Sequence, residues 1–275
     1  MKIIRLFALT FGIIPFFFSV QAQTHLKWEK IDLSTKQKAE FSTDLVLPST
    51  ATYFKASFEK LNAMLVSTSR TEITHLTLPI GKDGADVEAD LVYDPVMSTG
   101  DQKKFKDIRT YIAYSATGTP MVGRAGISPD GFYGIFELEG RQMMIRPSAV
   151  ERDIYVVYNL GSKLALLDFS ALPGCGTETN VVEVKPSDVL NIRNEEKRLR
   201  HFTIAISCTS GYAEQIGATE SNVMASVVQI VNLLNQRYNL DFGIRLNIMD
   251  NTSRLFNLDP KTDYFVNETV GLDLL

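Results

Sequence analysis

Apolar and polar residues alternate through much of the first two thirds of the chain. Thr71 to Leu78 sets Ile73, His75 and Leu78 among threonines, and Asp86 to Tyr93 alternates through Val87, Ala89, Leu91 and Tyr93. Asp107 to Ser115 carries Ile108, Tyr111, Ile112 and Tyr114. Gly131 to Leu138 carries Phe132, Tyr133, Ile135 and Phe136, and Ile154 to Leu160 carries Tyr155, Val156, Val157 and Tyr158. A period of two is the signature of a strand with one buried face. Turn signals separate these runs, at Gly81-Lys82-Asp83-Gly84, Ser98-Thr99-Gly100-Asp101, Ser128-Pro129-Asp130-Gly131 and Glu139-Gly140. Short strands at this spacing predict an antiparallel sandwich or barrel. One helix is predicted ahead of them, from Thr50 to Leu65, with Phe54, Phe58, Leu61 and Leu65 on one face.

The pattern changes after Glu178. Residues 178–200 are polar and charged, ending in Arg193-Asn194-Glu195-Glu196-Lys197-Arg198-Leu199-Arg200. This reads either as a solvated linker or as a cleavable segment with Lys197-Arg198 at the scissile side, and both readings put a domain boundary there. Phe202 to Cys208 then reads as a strand. A helix follows from about Tyr212 to Asn239, with Gly217 as a point of interruption and Thr219 as an N-cap. Val223, Val227, Ile230, Leu234 and Tyr238 fall three and four residues apart, and Met224, Val228 and Val231 widen the stripe. Phe242 to Met249 alternates again. The result is a strand–helix–strand unit with an expected right-handed crossover. So few elements cannot cover its sheet, and the apolar run Val270-Gly271-Leu272-Asp273-Leu274-Leu275 carries no cap, so the unit is expected to belong to something longer. Residues 25–172 are expected to form a stable unit, and the C-terminal third to be poorly packed, with an open strand edge.

Composition narrows the picture. The chain has 275 residues, 45% of them hydrophobic and 22% charged, which suits about two packed domains. A net charge of −4 does not fit a nucleic-acid binder. Lys2 and Arg5 precede an apolar run from Leu6 to Val20, and Val20-Gln21-Ala22 supplies a cleavage site. That layout predicts a signal peptide over residues 1–22, hence a secreted protein with no membrane partner after cleavage. Two cysteines remain in an oxidising space. Cys175 and Cys208 either form one disulfide or do separate jobs, Cys208 as a buried strand residue and Cys175 as a thiol presented by the turn Pro173-Gly174-Cys175-Gly176.

Leu199-Arg200-His201-Phe202-Thr203-Ile204-Ala205-Ile206, followed by Cys208-Thr209-Ser210-Gly211-Tyr212-Ala213, resembles the opening strand of the reprolysin-like zinc metallopeptidases of bacteria, a metzincin group. Val223 to Tyr238, with Val231-Asn232-Leu233-Leu234-Asn235-Gln236-Arg237-Tyr238, is similar to their first helix. Phe242-Gly243-Ile244-Arg245-Leu246 is similar to their second strand, and Asn251 and Asp263-Tyr264-Phe265-Val266-Asn267 to the loop that follows it. Gly123-Arg124-Ala125-Gly126-Ile127-Ser128-Pro129-Asp130-Gly131-Phe132 and Ile145-Arg146-Pro147 resemble the propeptide. The likeness spans about residues 25–270. It implies an α+β chain: signal peptide 1–22, an antiparallel β-rich propeptide-like domain 23–177, a charged linker 178–200, and 201–275 as the truncated start of an α/β metallopeptidase domain.

The resemblance also implies a role for Cys175, as the inhibitory thiolate that fills the open position on the catalytic zinc of the full-length precursor. It implies protein or peptide substrates, cut by a zinc-activated water. The family's His-Glu-x-x-His helix is missing here, and His25, His75 and His201 are the only histidines. No zinc is therefore expected on this chain and no catalytic residue is assigned. The rival reading is a complete, secreted, non-enzymatic β-rich protein that binds or inhibits a partner through the Cys175 turn. A sugar- or lipid-binding platform of Tyr93, Tyr111, Tyr114, Phe132, Tyr133 and Phe136 is a third.

Overall fold

The structure is a computed structural model that describes residues 26–34, 47–66, 72–148, 151–164, 199–263 and 265. The predicted signal peptide, His25, Cys175, the linker through residue 198 and the run 270–275 lie outside the described residues.

The period-two segments become strands of one antiparallel sheet. Its members are β1 (Glu29–Ile31), β2 (Thr52–Lys55), β3 (Ile73–Leu78), β4 (Val87–Tyr93), β5 (Arg109–Ser115), β6 (Met121–Ser128), β7 (Gly131–Leu138), β8 (Arg141–Pro147) and β9 (Ile154–Asn159), in the order β1-β2-β9-β8-β7-β6-β5-β4-β3. The sheet is curled. The Trp28 indole, just before β1, donates to the Thr77 carbonyl on β3 at 2.7 Å, so the two outermost strands approach each other. Among the described residues the two edge strands are not paired with one another, so the antiparallel strands form one curled sheet. Trp28, Phe54, Leu78, Leu91, Tyr111, Phe132 and Tyr155 fill the inside together with Leu61 and Leu65 of helix α1 (Phe58–Val66).

The helix predicted over 50–65 is half strand. Tyr53 and Phe54 alternate onto opposite faces of the sheet and pair with Val156 and Tyr155 of β9. The helix begins only at Phe58, whose amide is capped by the Asp153 carboxylate at 2.8 Å. Strands β6 and β8 carry no clean alternation. β6 is buried on nearly every residue because a helix covers its outer side, and a strand covered on both faces loses its period. Helix α2 (Thr99–Lys104) grows from the turn signal at Ser98, whose hydroxyl accepts from the Asp101 amide at 3.0 Å. Helix α3 (Leu160–Leu164) follows β9 directly.

The second unit pairs β10 (Arg200–Ile204) in parallel with β11 (Ile244–Ile248), His201 opposite Arg245. Two helices lie between them, α4 (Ser210–Gln215) and α5 (Glu220–Phe242). They part at Gly217, whose φ of 99° lies outside the helical region. Thr219 caps α5 through the Asn222 amide at 3.2 Å, and Gly243, with φ 61°, ends it in the left-handed conformation.

This unit does not stand apart from the sheet. Val96, Met97, Phe105 and Ile108 share a buried cluster with Cys208, Val223, Val227, Val231 and Ile248. The Ile248 amide donates to the Val96 carbonyl at 2.8 Å, so the chain after β4 lies along β11. The described part of the C-terminal third is thus seated on the sheet. Its open side is elsewhere, on β10, where four of the five residues are exposed. The described residues give the α+β class as a β-rich curled sheet with a few helices.

Candidate functional site

The most concentrated chemistry in the described residues lies between β6 and α5. Arg124 sits on β6 with its side chain 2% exposed. It points outward, away from the apolar inside, because Ala125 and Ile127 take the inner positions near it. Its Nη1 donates to Asp94 Oδ2 at 2.9 Å and to Asn232 Oδ1 at 3.3 Å. With the Asn239 amide turned as its neighbours require, Arg124 Nη2 donates to its oxygen at 2.6 Å and its nitrogen donates to the Ile244 carbonyl at 2.6 Å. Burial pulls the Arg124 guanidinium below the ordinary arginine range, and the Asp94 carboxylate works against that fall.

Asp94 receives a second guanidinium from the other unit. Arg245 Nη1 donates to Asp94 Oδ1 at 2.6 Å, Arg245 Nη2 to the Pro95 carbonyl at 2.9 Å, and Arg245 Nε to Asn247 Oδ1 at 3.1 Å. One carboxylate is therefore held between two arginines, one from the sheet and one from β11. Such a pair of contacts survives burial only when most of the donors and acceptors find partners.

Helix α5 meets both the curled sheet and β11 with carboxamides. Asn232 Nδ2 donates to the Ala125 carbonyl at 2.9 Å and Gln236 Nε2 to the Val122 carbonyl at 3.2 Å. Asn235 bonds Leu246 at both its amide and its carbonyl, 2.7 and 2.8 Å. Asn232, Asn235, Gln236 and Asn239 recur three and four residues apart and so share one face. The backbone they reach lies beside Gly126. A Cβ there would stand 2.3 Å from the Tyr133 ring, so only glycine lets that buried tyrosine cross the strand.

A second set of contacts lies at α2. Ser98 bonds Asp250, the Asn251 amide donates to Asp101 Oδ2 at 3.1 Å, and Lys104 meets Glu220 at the start of α5. Asp101 is buried, and burial together with the Asp250 carboxylate raises it above the ordinary carboxylate range. The Lys104 contact holds Glu220 below that range. Asp263 accepts from the Ser210 amide at 2.6 Å, which holds its carboxyl low and fixes the start of α4.

The sequence-predicted residues are scattered by comparison. His75 lies on β3, 2.5 Å from Asp90, and His201 on β10, 3.3 Å from Asn247. Among the described residues no group of three or more His, Cys, Asp or Glu side chains is placed to hold a metal ion, so they do not fit a zinc centre. Cys208 is buried with its thiol pushed up by burial, and its carbonyl accepts from Asn257. Tyr111, Phe132, Tyr133 and Phe136 are buried and Tyr114 is exposed, so the aromatic positions do not form one platform. An open cleft of about 460 Å³ beside α2 is lined by Tyr93, Met97, Lys103, Lys106 and Arg109.

Sequence reasoning missed Asp94 and the carboxamide face. Four carboxamides at helical spacing, beside the apolar stripe of α5, were the available signal. Comparison with family models, with curated proteins and with solved structures finds no match to this chain.

Proposed function

We propose that the chain is the N-terminal part of a secreted zinc-dependent metalloendopeptidase precursor. In this reading residues 23–177 are the propeptide-like cover, and residues 201–275 are the start of the catalytic unit, opening on the strand–helix–strand. The observation that carries it is the uncovered side of that unit. Leu199, Phe202, Ile230, Leu234, Leu240 and Phe242 are all exposed on β10 and α5, or beside them, and β10 pairs only with β11 among the described residues. A parallel pair with one strand unpaired on its far edge, beside exposed apolar side chains, suits the start of a larger α/β sheet before its next strand is added. The order of the motifs that resemble the reprolysin-like group supports the same reading.

Hydrolysis is not assigned to this chain. The metal ligands and the water-activating glutamate would come from further sequence, and Cys175 would be the thiolate that blocks the zinc in the precursor. Two measurements test the reading. The coding locus beyond Leu275 is expected to encode a His-Glu-x-x-His segment, in frame or displaced, and its absence favours the secreted binding or inhibitory protein. The purified chain, given zinc and casein, is expected to release no peptides. Chelator-sensitive turnover would overturn the assignment of an inactive fragment.

A further inference from the structure

The cleft beside α2 gathers charge of one sign. Between Lys103 and Arg109 the chain turns out of α2 and into β5 with a repeat of three. Phe105 and Ile108 are buried, while Lys103, Lys106 and Arg109 line the cleft. The Gln102 carboxamide fixes this turn: its Nε2 donates to the Phe105 carbonyl at 3.2 Å and to the Ile108 carbonyl at 2.8 Å. Lys106 stands between those two bonds, so its backbone is held in place. Lys104, the remaining cation of the run, meets Glu220 instead. Tyr93, Pro95 and Met97 give the same cleft an apolar floor. The Tyr93 ring is set by Tyr111, 5.9 Å away with an interplanar angle of 60°, and the Arg109 guanidinium lies 5.2 Å from its centroid. Among the described residues no carboxylate lines the cleft, although the chain carries a net charge of −4. The acids nearby are engaged elsewhere, Asp94 with Arg124 and Arg245, Asp101 with the Asn251 amide and Asp250 with Ser98. Lys103 and Lys106 make no ion pair among the described residues.

We propose that this cleft binds a small organic dianion, in its simplest form an aromatic phosphate monoester, with the phosphoryl group among Lys103, Lys106 and Arg109 and the ring against Tyr93 and Met97. Three like charges around one cleft raise the local potential and favour a ligand group that carries more than one negative charge. Arginine and lysine suit phosphate oxygens, arginine through its planar fork and lysine as a point charge. Each exposed ion pair contributes little alone. Affinity therefore comes from two charges on one group together with the apolar floor, which free phosphate cannot use. The volume of about 460 Å³ falls within the roughly 300–1,000 Å³ of small-molecule sites. Such a site needs nothing from the metallopeptidase reading, and no bond of the ligand is broken in it.

The test is a titration of the full chain, labelled with nitrogen-15, with phenyl phosphate at low salt and a pH of about 7.5, where the phosphate monoester is a dianion. Amide shifts over residues 102–109 are expected to saturate with a Kd of about 1 mM or tighter. Shifts that stay linear to about 20 mM, or none at all, would overturn the proposal. Inorganic phosphate, which lacks the ring, and phenyl sulfate, which lacks one charge, are each expected to bind at least about threefold more weakly. Equal affinity for inorganic phosphate would contradict an organic ligand, and equal affinity for phenyl sulfate would contradict a dianion. Lys106→Glu is expected to weaken phenyl phosphate by about tenfold or more. If that variant fails to fold, Lys103→Gln decides, at an exposed position and with a loss of about threefold. Arg141→Glu makes the same charge change at the opposite end of the strands from Arg109. It is expected to leave the affinity unchanged, and weakening equal to that of Lys106→Glu would contradict the assigned cleft.

Discussion

The curled sheet and the strand–helix–strand unit solve burial in opposite ways. The sheet encloses its apolar residues. Among the described residues Ile73 and Tyr114 are its exposed large apolar side chains, while Leu61, Leu78, Leu91, Tyr111 and Phe136 are fully inside. The smaller unit buries one apolar side against itself, joins the sheet through arginine, aspartate and carboxamides, and leaves Phe202, Ile230, Leu234 and Phe242 in solvent. Dependence runs unequally between them: the sheet closes its inside with its own residues, while the smaller unit draws on the sheet for part of its cover. It takes cover from Val96 and Phe105, and charge compensation from Asp94.

The largest effect is expected from Asp94→Ala. It leaves two guanidinium groups, 2% and 9% exposed, without their carboxylate. A loss of roughly 3–5 kcal/mol is expected, read as a lowered midpoint in denaturant with the change largest for probes on α5. A loss below about 1 kcal/mol would mean that the clamp contributes little.

Gly126→Ala comes next. The added methyl meets the Tyr133 ring at 2.3 Å, and overpacking of this kind costs about 1–3 kcal/mol. Because Gly126 lies beside the Asn232–Ala125 contact, the variant should also loosen α5, which amide exchange would detect.

Asp101→Asn tests the electrostatics of the α2 contacts, with a smaller effect. Burial and Asp250 raise the Asp101 carboxyl, so the folded chain holds that proton more tightly than the unfolded chain. The contribution of this group is fully present below the unfolded carboxylate pKa of about 3.9. It is lost as pH rises through the raised folded value. The asparagine keeps an acceptor for the Asn251 amide but carries no charge. The variant should therefore gain on the parent as pH rises from acid to neutral, and a gap that shrinks over that range would contradict the stated cause.

The smallest effect is expected from Phe242→Ser, within about 0.5 kcal/mol of the parent because the ring is 67% exposed. Its benefit should appear as reduced self-association in light scattering. A large loss of stability would mean that this side is covered after all.

The sequence made the sheet legible in β3 and β4, which alternate and keep one face more open, and in β7 and β9, which are buried on both faces but rich in aromatic and β-branched residues between turn signals. The strand–helix–strand unit follows its change of period with ends shifted by a few residues. β6 carries glycines and Arg124 in place of such a run, and Arg124 and Val122 face a helix more than 100 residues away. No local pattern announces a contact whose partner is that distant. The start of α1 was misread because Tyr53 and Phe54, spaced to suit a helix with Phe58, are claimed by β9. Of the site, Arg124, Asn232 and Arg245 stood inside motifs singled out for resemblance, but Asp94, which joins them, sat unmarked before Pro95.

Hydrogen exchange on the intact chain tests most directly whether the smaller unit is seated on the sheet. Amides of α5 from Val223 to Asn239 are expected to be protected to a degree comparable with those of β6, and to lose that protection together with β6 in Asp94→Ala. Rapid exchange along α5 beside a fully protected β6 would contradict the account.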